Sequence, residues 1–112
     1  MAVGDRTEKR FYGPAALSAT AGSPTIATVP ASRQWTTKQF IFSNTSGSEA
    51  LIYVSIGAVA TVSNRVLSAL PIASGDVVVW DTALVLDAGE TLQCYADRTG
   101  VNITMVGWEK QV

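Results

Sequence analysis

Apolar and polar residues alternate with a period of two over most of this chain. In Leu51-Ile-Tyr-Val-Ser-Ile56, the residues Ile52, Val54 and Ile56 fall on one face. Leu92-Gln-Cys-Tyr-Ala96 places Leu92, Cys94 and Ala96 on one side. Val101-Asn-Ile-Thr-Met105 alternates again and runs on through Val106-Gly-Trp108. That period belongs to half-buried strands, and the Thr, Val, Ile and aromatic content suits a pleated surface. Thr25–Val29 and Asp76–Trp80 read as further short strands. Trp35–Phe42 has a polar first half and an apolar second half, as a strand entering a core would. Asn64–Leu70 is the one ambiguous window. Pro71 ends any helix there, so it reads as strand or irregular chain.

The breaks between these runs are turn chemistry. Asn44-Thr-Ser-Gly-Ser48 joins two strands as a hairpin, and Asp97-Arg-Thr-Gly100 joins the last two. Ser74-Gly75-Asp76 and Asp87-Ala-Gly-Glu90 are turns, and Pro24 and Pro30 bracket the Thr25–Val29 strand. Turns every ~10–15 residues suit a sandwich or jelly roll. The pattern therefore predicts an all-β fold: an antiparallel, jelly-roll-like β-sandwich of about eight strands. Residues 1–10 are polar and charged, and Phe11-Tyr12-Gly13-Pro14 begins the apolar structure. This divides the chain into an extended N-terminal arm, residues 1–14, and a sandwich domain, residues 15–112. An arm of this kind is expected to lie on a neighbour, and deleting residues 1–10 to leave the domain folded.

A chain of 112 residues makes one domain, and 47% hydrophobic content suffices for a core. The net charge of −1 supplies no basic excess for a phosphate backbone, so direct nucleic-acid binding is not expected. Charge is uneven along the chain. Residues 1–65 carry six basic groups against three acids, and residues 66–112 carry two against six. In an assembly such an imbalance can orient neighbouring copies. No apolar run is long enough for a transmembrane helix, and the N-terminus lacks the apolar segment of a signal peptide. The expectation is synthesis in a cytoplasm, no membrane, and no glycan on the Asn44 and Asn102 sequons. Cys94 is the only cysteine, and it reads as a buried inert thiol.

The acids invite a catalytic reading, which the pattern does not favour. Without histidine, neither a Ser-His-Asp nor a Cys-His nucleophile is available. Asp76 and Asp81 flank one strand, which at ~3.3 Å per residue holds them roughly 17 Å apart. Asp87 and Glu90 sit at a turn tip, where nothing raises a carboxyl pKa. The acids read as turn and rim residues: no catalytic site, no cofactor and no metal within the chain. Calcium at an inter-subunit axis stays open. The aromatics Trp35, Trp80, Trp108, Tyr12, Tyr53 and Tyr95 read as core and interface packing, with a sugar-stacking platform as the alternative. Tyr53 lies opposite Ile52 and Val54, which makes both faces of its strand partly apolar. A second sheet covers one face, and a subunit or the arm the other.

The segments "TIATVPASRQWTTKQFIFSNTSGSEALIYVSIG" and "VVVWDTALVLDAGETLQCYADRTGVNITMVGWE" carry a resemblance. Val29-Pro30-Ala31, Asn44-Thr45, Leu86-Asp87-Ala88-Gly89-Glu90-Thr91-Leu92, and Gly107 with Glu109 match a hydrophobic-and-turn pattern. It resembles that of small all-β structural proteins of tailed-bacteriophage virions, either tail-associated or capsid decoration. The likeness spans roughly residues 24–110 and leaves residues 1–23 outside. It implies a non-enzymatic virion protein that associates with its own copies, as a homotrimer, and with other virion proteins on capsid or tail. The expected contact residues are Arg6, Arg10, Phe11 and Tyr12 in the arm, with Tyr53 and Trp108 as aromatic anchors. The alternative is a carbohydrate-binding module used in host recognition, with a glycan as partner.

Overall fold

The structure, a computed structural model, describes residues 5–19, 25–57 and 64–112. Among these residues the chain forms nine strands. They are β1 (Arg6–Ala16), β2 (Thr25–Thr28), β3 (Arg33–Asn44), β4 (Ala50–Ile56), β5 (Arg65–Ile72), β6 (Val77–Asp81), β7 (Val85–Leu86), β8 (Thr91–Ala96) and β9 (Val101–Gln111). One sheet has the order β1-β9-β3-β6, with β7 also paired to β3, and the other has the order β2-β8-β4-β5. We call them sheets A and B. Every strand pairing is antiparallel.

The order has a simple origin. β1 pairs with β9, β2 with β8, β3 with β6 and β4 with β5. The chain is thus one long hairpin, bent between β4 and β5 and wound into two facing sheets. This is the jelly-roll arrangement, with two nested Greek keys. The predicted sandwich is present, and the ambiguous window is strand β5. Pro71 is tolerated there because β5 is an edge strand of sheet B.

The core lies where the alternating positions of both sheets meet. Phe40, Phe42, Val101, Ile103 and Met105 point in from sheet A, against Ile52, Val54, Leu92, Cys94 and Ala96 from sheet B. Burying each large side chain contributes about 1.5–3 kcal/mol of favourable transfer free energy. A register shift in β3 between Thr37 and Gln39 keeps the inward face apolar. Without the extra residue, Gln39 rather than Phe40 would follow Thr37 into the core.

Residues 6–16, set largely in an N-terminal arm by the sequence, are the edge strand β1, laddered to β9 from Arg6↔Lys110 to Ala16↔Asn102. The charge that makes this segment look like an arm is what an edge strand carries against unwanted pairing. A bulge between Arg10 and Tyr12 brings two consecutive aromatics, Phe11 and Tyr12, against the core. Residues 1–4 of the arm, and Pro24 ahead of β2, lie outside the described residues.

Candidate interaction surface

Three of the acids in the turns, Asp87, Glu90 and Asp97, are engaged in separate structural tasks. Glu90 Oε1 accepts a hydrogen bond from the Asp87 backbone N–H at 2.7 Å, closing the turn before β8. Asp87 Oδ1 accepts one from Gln34 Nε2 at 2.9 Å. Asp97 Oδ1 accepts one from the Leu51 N–H at 2.9 Å, pinning the β8–β9 turn to β4. Among the described residues no three His, Cys, Asp or Glu side chains converge as a metal site would require.

The most constrained carboxylate is Glu109 on β9, a residue that entered the sequence reading only as part of a family pattern. It is buried in sheet A, where its Oε2 accepts hydrogen bonds from Trp35 Nε1 at 2.9 Å and Lys9 Nζ at 3.0 Å. Arg33 Nε lies 3.6 Å from Oε1. Burial pushes the carboxyl pKa up. The Trp35 and Lys9 donors and the Lys9 and Arg33 charges outweigh that, and the carboxyl is held below the usual range. Trp35 also stacks on Phe11, with centroids 4.3 Å apart and planes 15° from parallel. This cluster ties β1, β9 and β3 together. Gly107 sits beside it because a Cβ there would collide with the Thr36 carbonyl and lie 2.8 Å from the Phe11 ring.

The outer face of sheet A is different. Cross-strand rows run over it from β1 to β6. Arg10, Val106, Gln39 and Asp81 form one row, and Ala16, Asn102, Ser43 and Val77 another. Thr104, Ile41 and Val79 lie level between them. Val77 and Val79 on β6 are 62% and 49% exposed, and Val85 on β7 is 54% exposed. Trp108 lies on the same face, level with Glu8, and Lys38 Nζ is 5.7 Å from its ring centroid. An open cleft of about 290 Å³ beside it is lined by Glu8, Lys9, Arg10, Lys38, Val106 and Gly107. The outer face therefore has a basic side at β1, a mixed middle containing Trp108, and an apolar, acid-flanked side at β6.

The six residues singled out in the sequence divide by location. Arg6, Arg10 and Trp108 share the outer face of sheet A. Phe11 and Tyr12 pack against the chain's own core. Tyr53 lies on sheet B, stacked on Tyr95 at 4.8 Å and 12°. The Arg65 guanidinium carbon is 4.6 Å from the Tyr53 ring centroid, and Arg65 Nη2 donates to the Tyr95 hydroxyl at 3.0 Å. The tyrosine stack is thus occupied by the chain's own arginine. The sequence read Asp76–Trp80 as a short apolar strand without saying which of its valines are exposed. Only the register shows that Val78 alone of the three points in. No protein-family model matches the chain, and neither a curated protein nor a solved structure matches it.

Proposed function

We propose that this chain is a non-enzymatic structural protein of a tailed-phage virion that works by associating with its own copies and docking onto capsid or tail proteins. The observation that carries this reading is the outer face of sheet A. It exposes Val77, Val79 and Val85 on the β6 and β7 side, Arg6 and Arg10 on the β1 side, and Lys38 on β3 between them. Exposed apolar residues interspersed with and bounded by charge, here with Asp81 between Val79 and Val85, are common in protein contacts. The pattern that the sequence shares with phage structural proteins supports the same reading and suggests a virion location and a trimer. The tasks of Asp87, Glu90, Asp97 and Glu109 support a framework role for the acids over a catalytic one. Occupation of Tyr53 by Arg65 argues against glycan stacking on that ring and equally against Tyr53 as a contact anchor.

The test is the mass of the purified protein by light scattering over a range of concentrations, with and without a chelator. A discrete oligomer with the same mass in chelator is the expected result. Dissociation on chelation would mean that a metal links the subunits. A monomer at every concentration would remove self-association from the proposal.

A further inference from the structure

Among the described residues sheet A ends at β1 on one side and at β6 and β7 on the other, and over three levels the end residues of β1 and β6 match in order. The row through Val106 and Gln39 begins with Arg10 on β1 and ends with Asp81 on β6. The row through Asn102 and Ser43 begins with Ala16 and ends with Val77. The level between them has Thr104 and Ile41, ends at Val79, and meets β1 at the irregular Gly13-Pro14 step. Pro14 and Ala16 are exposed, as are Val77 and Val79. At these three levels a cation faces the level of an anion and small apolar residues face the level of valines; at the next level, through Trp108 and Thr36, Glu8 on β1 faces that of Val85 on β7 and lies outside the match.

The topology creates this match. The basic first part of the chain supplies β1 and the acidic second part supplies β6, because the long hairpin interleaves the two. No basic residue occurs between Arg65 and Arg98, whereas Asp76 and Asp81 flank β6. Among the described residues neither Arg10 nor Asp81 has an ion-pair partner.

We propose that the β6 edge of one copy seats on the β1 edge of the next, with Asp81 against Arg10, Val79 against Pro14 and Val77 against Ala16. This rests on the self-association reading above and gives it a surface. Strands β1 and β6 are three antiparallel steps apart, so they run in opposite directions. Rotation about an axis along the strands preserves direction and brings β6 of one copy antiparallel to β1 of its neighbour. With no rise along that axis, residues at one level meet. Such a head-to-tail contact closes into a ring where the rotation is a whole fraction of a turn. Pro14 has no N–H and β1 is bulged beside it, so the contact rests on side chains rather than a continuous backbone ladder.

Arg10→Asp, Asp81→Arg and the double exchange test the contact, together with Val79→Lys. All three positions are exposed, so the fold should survive, and circular dichroism checks this. Each single charge reversal should weaken self-association about tenfold or more, and the double exchange should recover most of it. Val79→Lys should weaken association as strongly and should not be rescued. An oligomer unmoved by these changes, or singles that the double exchange does not rescue, would overturn the edge contact and leave self-association standing. A wild-type monomer at every concentration would overturn both.

Discussion

Glu109 shows how much one residue can organise. Trp35 Nε1 and Lys9 Nζ both donate to its Oε2, from β3 and β1, and the residue itself is on β9. Glu109→Ala leaves the Trp35 N–H without its acceptor in a buried site and should cost about 2 kcal/mol in urea unfolding. The Lys9 pair adds less, because Lys9 is 44% exposed and screened by solvent. The pH dependence has a definite sign. A carboxyl held below its ordinary pKa contributes stability above that value, near ~4.3, and loses it as pH falls through the folded-state pKa. Acid unfolding should therefore be shallower for Glu109→Gln than for the wild type. Burial pushes the Cys94 thiol pKa up, so Cys94 should resist alkylation at pH 8 until the protein is unfolded. Ser55 is 1% exposed and, among the described residues, its Oγ has no hydrogen-bond partner, so Ser55→Ala should be neutral or stabilising. Local chemistry revealed the Asn44 turn and the Cys94 face. It did not reveal that Asn44 is buried, with Nδ2 donating to the Ser48 and Ile72 carbonyls and Oδ1 accepting from Ser46. Nor did it reveal that Thr37 clamps the β6–β7 connection through Thr82 and Leu84. Ser46 and Ser48 are local to the Asn44 turn, but Ile72, Thr82 and Leu84 are remote in sequence, and only the fold brings them within reach.

Among the elements, the regular two-residue alternation made β4, β8 and β9 legible, because each buries one face fully. β1 was the least legible. From Arg6 to Arg10 every residue is exposed, so the period that marks a strand is absent there. Its place in the sheet changes the expected effect of shortening the chain. Removal of residues 1–10 takes away the ladder from Arg6 to Arg10 and the Lys9 donor to Glu109. Thermal unfolding should shift down by several degrees, at ~4 °C or more per kcal/mol for a domain of this size. An unchanged midpoint would mean that this half of β1 contributes little beyond its contacts with other molecules.

At the scale of the whole molecule, the pairing of β1 with β9, β2 with β8, β3 with β6 and β4 with β5 does two things. It closes one core between two sheets. It also places the chain's basic and acidic parts at opposite edges of sheet A, with exposed valines at the acidic edge. The sandwich could be read from strand spacing. Edge chemistry could not, because which strands end a sheet depends on pairings that local pattern does not encode. The central claim is that these edges meet in solution. The most direct measurement is amide hydrogen exchange along β6 as a function of protein concentration. If the β6 edge is covered by a second copy, its amides facing away from β3 should exchange more slowly as concentration rises, and Val79→Lys should abolish the change. Exchange at β6 that is independent of concentration, in a sample whose mass shows an oligomer, would place the contact elsewhere and contradict the account.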